Sequence, residues 1–206
     1  GIPHVRNKAI KYCKNKYEFI AFIDDDEEAD ATWLYCLYKA LKKYKADVVH
    51  GPIIYQFGNK LPFWSKYTHF NMYNPPKKIE TGSVLKTCAT NNLIMNIKIF
   101  NNINKPFNPL MAKTGGSDTL FFTSIHKKHK IVWCDEAICY ENIPKTRQSL
   151  RWNLLRHFRI GNASALIDLI NVHTSIKYLR PIRKLFFKII FLPIILALSC
   201  ILFYFI

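Results

Sequence analysis

The sequence predicts an α/β domain that has a mainly parallel sheet and flanking helices. Segments with helical periodicity alternate along the chain with short continuous apolar runs, which are typical of strands buried on both faces. A cluster of acidic residues follows the first apolar run directly, where open α/β sheets place their ligand sites. Half of the 206 residues are hydrophobic, so the chain is long and apolar enough to form a globular core.

The predicted elements follow in chain order. Apolar residues at helical spacing indicate a helix over residues 3–16, and Phe19–Ile23 reads as the first buried strand. Asp30 or Thr32 caps a second helix that runs to about Lys45. Residues 57–86 have no clear period and are predicted to be loop and short helix. The later predictions are strands over residues 46–53, 93–99, 130–133 and 137–139, and helices over residues 119–126 and 148–170.

The chain carries a formal charge of +16, from 30 Lys and Arg against 14 Asp and Glu. Such an excess favours anionic partners, which include nucleic acid, anionic lipid and phosphorylated small molecules, and charge alone does not separate them. The acids are unevenly spread, since six of the 14 fall between Asp24 and Asp30. Carboxylates this close together repel each other, so we expect a cation to stabilise them.

The six cysteines form no CxxC pair and have no His at zinc spacing. Cys134 and Cys139 flank an apolar run and are interpreted as core thiols. We therefore expect a reducing compartment.

The C-terminal run from Ile189 to Ile206 has 18 residues and no charge. About 17 apolar residues is the lower limit for a helix that crosses a bilayer. Five basic residues precede the run, a pattern typical of the cytoplasmic side of a membrane; they are Lys177, Arg180, Arg183, Lys184 and Lys188. The sequence therefore predicts a single-pass membrane protein whose larger domain lies in the cytoplasm. A hydrophobic core helix is the alternative.

The clearest chemical signal is the triplet Asp24-Asp25-Asp26 after the first buried strand. Carboxylates at such a strand end can bind Mg²⁺ or Mn²⁺, since these ions take hard oxygen ligands and often bridge to a substrate phosphate. A solvated acidic turn that caps the next helix through its dipole is the alternative.

A series of short motifs carries a resemblance to a known family. In chain order they are Gly1–Asn7, Phe22–Glu27, Trp33-Leu34, Gly51-Pro52, Thr90–Asn92, Gly115–Asp118 and Arg147–Trp152. Over about residues 1–160 this ordered series resembles the family 2 nucleotide-diphospho-sugar glycosyltransferases, which are inverting enzymes with a Rossmann-like fold. The resemblance implies a metal-dependent transferase that uses a nucleotide-sugar donor and does not act on nucleic acid. The apolar tail adds the membrane as a partner and suggests an envelope-glycan or polyprenyl-linked acceptor.

The resemblance also implies roles for single residues. Asp24 and Asp26 are the expected ligands of Mn²⁺ or Mg²⁺, and Asp118 is the expected base that takes a proton from the acceptor hydroxyl. The expected donor-binding residues are Arg6, Asp25, Asn92, Trp152 and Arg156. Asp118 is alternatively a helix N-terminal acid, Arg6 a helix-start residue, and the segment around Trp152 a basic helix on anionic lipid.

These observations predict three regions of the chain. They are a partial glycosyltransferase catalytic domain over residues 1–160, a basic juxtamembrane segment over residues 161–188 and a transmembrane helix over residues 189–206. Family members begin with a strand and turn that cradle the nucleotide, and nothing of that kind precedes Gly1, so we expect an N-terminally incomplete fold. Two other functions stay open, namely a non-catalytic basic binding protein anchored in the membrane and an inactive transferase fragment.

Overall fold

The structure is a computed structural model that describes residues 1–58 and 79–170. The chain divides into two compact units, residues 1–160 and residues 161–206. The α-helices of the described residues are α1 (Ile2–Cys13), α2 (Trp33–Lys43), α3 (Ser117–Ile125) and α4 (Leu150–Ile170). The strands are β1 (Phe19–Phe22), β2 (Glu27–Ala29), β3 (Val48–His50), β4 (Ile53–Phe57), β5 (Val84–Leu85), β6 (Leu93–Asn96), β7 (Ile131–Trp133) and β8 (Cys139–Ile143).

The strands form two mixed sheets, with the orders β1-β6-β3-β7-β5 and β2-β8-β4. β6 is antiparallel to both β1 and β3, whereas β3 and β7 are parallel. The α/β class with flanking helices is confirmed, but the prediction of a mainly parallel sheet is wrong. β1 and β3 do point the same way, as alternating helices and strands suggest. A strand from later in the chain lies between them, and hydrophobic periodicity does not identify a strand's neighbours.

Each face of the five-stranded sheet packs into a separate core. Successive side chains of a strand point to opposite faces, so β3, β6 and β7 contribute to both. The first core joins the sheet to α1 and α3 and includes Ile10, Val48, Met95, Phe121 and Ile131. The second joins the sheet to α2 and includes Leu37, Leu41, Val49, Ile94 and Val132. β3 and β7 are buried along their full lengths, as continuous apolar runs predict.

Two local departures from the predicted elements have clear causes. The acidic segment follows β1, as predicted. Its later part, Glu27–Ala29, also forms a strand, because β8 supplies its hydrogen-bonding partners. The strand predicted over residues 93–99 stops at Asn96, whose side chain accepts a hydrogen bond from the backbone N–H of Lys98. This cap starts a 3₁₀ helix, Ile97–Phe100.

The predicted membrane location is wrong. Along the described part of the chain, no helix combines the length and the apolar character needed to cross a bilayer. This finding overturns the single-pass arrangement with a cytoplasmic catalytic domain. The run predicted to span the membrane, residues 189–206, lies outside the described residues, as do residues 171–188 and most of the predicted loop over residues 57–86.

One edge of the larger sheet gathers three of the motifs identified in the sequence. β1 and β3 end at this edge, and β6 begins there because it runs in the opposite direction. The acidic segment follows β1, Gly51 follows β3, and Asn91 and Asn92 precede β6. Sheet topology therefore brings together three loops that are distant in sequence.

Candidate active site

The acidic segment forms a closed turn between β1 and β2. The backbone N–H of Glu27 donates to the carbonyl oxygen of Asp24 at 3.2 Å. In return, the Glu27 carboxylate accepts a hydrogen bond from the backbone N–H of Asp24 at 3.1 Å. The other carboxylate oxygen of Glu27 accepts from the side-chain amide of Asn91 at 2.8 Å. The turn is therefore closed by two bonds and tied by a third to the segment before β6.

Two arginines reach the acidic turn from different elements. Nη2 of Arg6, on α1, lies 3.4 Å from Oδ1 of Asp24. Nη1 of Arg147, in a 3₁₀ turn before α4, lies 2.9 Å from Oδ2 of Asp26 and 3.1 Å from Oε1 of Glu141. Both aspartates are more than two-fifths exposed at their side chains, so they stay accessible to a ligand.

The predicted metal ligands and the predicted base interact electrostatically. Burial raises the pKa of Asp24, the nearby Arg6 guanidinium lowers it, and the charges of Asp26 and Asp118 raise it further. Asp118 comes from α3, far along the chain, and its charge nevertheless acts on Asp24. The structure therefore brings Asp24, Asp26 and Asp118 into one region.

Two more carboxylates lie beside this group. Glu27 on β2 and Glu141 on β8 are directly paired across the smaller sheet. Burial raises the pKa of Glu27 to about 7. Burial also raises the pKa of Glu141, while Arg147 and Arg156 lower it. Neither glutamate is predicted from the sequence to belong to the site. Residues 141–206 are strongly basic, however, and Glu141 is one of the two acids among them, with Asp168.

Asp118 lies in the first turn of α3, directly after a glycine pair. Gly115 and Gly116 have φ values of 79° and 83°. This left-handed conformation is unfavourable for residues that carry a Cβ, so the pair permits the sharp entry into the helix. Oδ1 of Asp118 accepts a hydrogen bond from the backbone N–H of Thr119 at 2.8 Å. The side chain remains partly exposed and can meet a substrate.

Of the predicted donor-binding residues, Trp152 and Arg156 lie together on α4, whereas Asp25 lies on the acidic turn. The guanidinium of Arg156 lies over the ring of Trp152, 5.2 Å from its centroid, and both residues line a pocket of about 280 Å³. The charge of Arg156 lowers the pKa of Glu141, the residue paired with Glu27 across the smaller sheet. Asp25 is exposed at the tip of the turn.

Asn92 has a structural role. It is fully buried, and its amide nitrogen donates to the carbonyl oxygens of Pro52 at 2.6 Å and of Ala137 at 2.7 Å. Its amide oxygen accepts from the indole N–H of Trp33 at 2.7 Å. All polar atoms of the side chain are thus engaged within the fold, so we leave Asn92 out of the proposed donor site.

Asp24 and Asp26 suit a divalent cation that is bound jointly by the protein and by the phosphates of a substrate. Within residues 1–58 and 79–170, no three His, Cys, Asp or Glu side chains are grouped so that they could hold a metal ion. Mg²⁺, however, is commonly bound by one or two carboxylates together with substrate phosphates. Asp24 and Asp26 can supply two such carboxylates. Their mutual repulsion, which contributes to the raised pKa of Asp24, is what a cation would relieve.

A family model and a relative match this chain in sequence. A model of the family described as "Glycosyl transferase family 2" matches residues 1–103. The chain is 31% identical over 163 residues to the succinoglycan biosynthesis protein ExoM of Rhizobium meliloti (strain 1021), a match that covers 77% of this chain and 52% of that protein.

Solved structures share the fold. A crystal structure of S. aureus TarS 1–349 in complex with UDP-GlcNAc is similar with a TM-score of 0.51 and 16% identity, covering 82% of this chain and 47% of that one. A second structure of TarS 1–349 gives a TM-score of 0.50 and 16% identity, covering 85% of this chain and 47% of that one. This chain spans about half the length of the relatives that it matches.

Proposed function

This chain belongs to glycosyltransferase family 2, and we propose that it transfers a sugar from a nucleotide-sugar donor to an acceptor hydroxyl with inversion. The observation that carries the proposal is that Asp24, at the end of β1, lies close enough to both Asp26 and Asp118 for their charges to raise its pKa. The relative ExoM is a succinoglycan biosynthesis protein, which supports a glycan as the acceptor.

In this proposal the acidic turn and the arginines bind the donor. Asp24 and Asp26 would hold Mn²⁺ or Mg²⁺, which offsets the charge of the donor diphosphate and improves it as a leaving group. Asp25, which is exposed at the tip of the turn, would contact the ribose or the donor sugar. Arg6 contributes positive charge beside Asp24.

The pocket along α4 extends the proposed donor site. Trp152 offers an aromatic face to it, and Arg156 offers a guanidinium that suits phosphate oxygens. These two residues complete the donor-binding set that we propose.

Asp118 acts as the base in the proposed reaction. Its carboxylate accepts the proton of the acceptor hydroxyl as the acceptor oxygen bonds to the anomeric carbon. The bond between that carbon and the diphosphate oxygen breaks at the same time, and the nucleoside diphosphate leaves with the electron pair. Attack on the face opposite to the leaving group inverts the configuration. The partly exposed position of Asp118 at the start of α3 supports this role.

Two measurements test the proposed function. Calorimetric titration of the full chain with a nucleoside diphosphate, with and without Mn²⁺, measures donor binding, and we expect binding to require the cation. Incubation with nucleotide sugars and oligosaccharide acceptors, followed by mass spectrometry, measures transfer. A chain that binds no nucleoside diphosphate in the presence of Mn²⁺ would refute the proposal.

A further inference from the structure

We propose that Glu27 is a positioning residue, which holds the backbone of the acidic turn in the conformation that binds the cation and the donor. The inference rests on the proposed function and extends it to a residue that does not itself touch the donor. Three features support it: Glu27 closes the turn, Asn91 bonds to Glu27, and the carboxylates of the turn have different kinds of partner.

The Glu27 carboxylate closes the turn at its first residue. Asp24 follows β1 with only Ile23 between them, so its N–H lies just beyond the hydrogen-bonding pattern of the sheet. The Glu27 carboxylate is the group that receives this N–H. Since the backbone N–H of Glu27 donates back to Asp24, the two residues are held from both directions. The position of the Asp24 side chain thus depends on Glu27.

Asn91 supports Glu27 from the neighbouring segment. The amide nitrogen of Asn91 donates to Glu27, whereas its amide oxygen is buried and, among the described residues, has no hydrogen-bond partner. A buried acceptor left without a partner is unfavourable. The Asn91 amide is therefore oriented so that its nitrogen can donate a hydrogen bond to Glu27. Asn91 is itself held in place by the buried and fully hydrogen-bonded Asn92.

The carboxylates of the turn divide into two groups. Asp24 and Asp26 form partly exposed ion pairs with arginines, so a cation can compete for the aspartates and a diphosphate for the arginines. Both oxygens of Glu27 are instead engaged by N–H groups of the protein. Glutamine could replace Glu27 in this role. Its amide oxygen can accept from the backbone N–H of Asp24. Its NH₂ group can donate to the amide oxygen of Asn91 once the Asn91 amide is rotated by 180°. A ligand role would require the negative charge, which glutamine lacks.

The test compares Glu27→Ala and Glu27→Gln with the matched control Glu28→Ala in the full chain. Glu28 is the exposed neighbour on the same strand, so the control removes the same charge next to the turn. Calorimetry with Mn²⁺ and a nucleoside diphosphate measures affinity. Hydrogen exchange of the amides of residues 23–27 in metal-free protein measures the order of the turn.

We expect Glu27→Ala to weaken nucleotide binding by about tenfold or more and to speed exchange at Asp24. Glu27→Gln should stay within about threefold of the wild type in both measurements, and Glu28→Ala should match the wild type. Asn91→Ala provides a second test. Its effect on nucleotide affinity should largely disappear in a chain that already carries Glu27→Ala.

Two results would overturn the inference. If Glu27→Gln binds as weakly as Glu27→Ala, the charge matters and Glu27 is a direct ligand. If Glu27→Ala binds like the wild type, the turn does not need its support. A wild-type chain that fails to bind the nucleotide refutes the proposed function together with this inference, so the two failures are distinguishable.

Discussion

The two neighbouring asparagines before β6 show how much a side chain's role depends on its surroundings. Asn92 is buried, has a positive φ of 49° and joins three segments through its amide. Asn91 directs its amide nitrogen to the acidic turn. In sequence they are identical residues side by side, and the sequence predicts a donor-binding role for Asn92 alone. The fold makes Asn92 a structural anchor and places Asn91 against the acidic turn.

We predict that Asn92→Ala destabilises the protein by about 2–4 kcal/mol, because it leaves the Trp33 indole without its acceptor and releases two buried carbonyl groups. Urea unfolding followed by fluorescence measures the loss. Asn101→Ala, at an exposed position, is the control and should change stability by less than about 0.5 kcal/mol. Equal stability of the two variants would contradict the structural role.

Asp118→Asn should reduce transfer by about 10²–10⁴-fold while donor affinity stays within a few-fold. A base acts on the acceptor proton in the transition state and contributes little to binding of the donor. Steady-state rates and calorimetry on the same preparation separate the two effects. A loss of less than about tenfold in rate would mean that Asp118 only stabilises the helix N-terminus.

Asp26→Asn should remove the metal dependence of nucleotide binding, because a neutral amide does not offset the charge of the cation. The fold should survive the change, since Arg147 keeps its contact with Glu141 at 3.1 Å. Calorimetry with and without Mn²⁺ gives the result, and circular dichroism checks the fold. Metal-dependent affinity equal to that of the wild type would rule out Asp26 as a ligand.

At the scale of elements, the join between β3 and β4 depends on the close approach of three segments. The backbone N–H of Gly51 donates to the carbonyl oxygen of Asn92 at 3.0 Å. A Cβ on Gly51 would lie 2.1 Å from the carbonyl oxygen of Ala137 and 2.9 Å from the amide nitrogen of Asn92. Gly51 is therefore required by space, since any side chain would push apart the loops that carry the site.

Gly51→Ala should lower the free energy of unfolding by about 1–3 kcal/mol or more, as overpacking of a tight site does. We also expect weaker nucleotide binding, because Asn92 would shift and Asn91 with it. Thermal and urea unfolding measure the first effect. Gly58→Ala, at a position with nothing within 4 Å of the added Cβ, is the matched control and should behave like the wild type.

At the scale of the whole molecule, stability responds to the protonation of a buried histidine. His50 ends β3, is buried and stacks on the ring of Trp133 with centroids 5.5 Å apart. Burial lowers the pKa of His50 from 6.5 to about 4. The folded protein therefore keeps His50 neutral where the unfolded chain binds a proton. This contribution to stability is complete above pH 6.5 and is lost as the pH falls towards 4.

We expect the protein to lose stability on the order of 2 kcal/mol between pH 6.5 and pH 4.5 through His50. The raised pKa of Glu27 acts in the opposite direction, since its contribution is present below pH 4.5 and is lost as the pH rises towards about 7. His50→Phe keeps an aromatic ring against Trp133 and removes the titration. The variant should lose less stability than the wild type over this range in urea titrations, and equal losses would contradict the assignment.

Much of the molecule could be predicted from local pattern. The runs Phe19–Ile23 and Lys130–Trp133 correspond to β1 and β7, and the segments with helical periodicity correspond to α1 to α4. Such elements are predictable because the spacing of apolar residues along the chain reflects which side chains are buried. The family followed from the ordered motifs and is confirmed by the comparisons. The roles of Asp24, Asp26 and Asp118 stay predictions, for which the structure supplies proximity.

The sequence by itself therefore determined the α/β class, the family and the identity of the acidic turn, since each depends on residues that are close along the chain. Only the tertiary structure decided that β6 lies between β1 and β3, that Arg147 bridges Asp26 and Glu141, and that Glu27 and Asn91 support the turn. Those contacts join residues from distant segments. Strand pairing creates them, and no local period along the chain encodes which strands will pair.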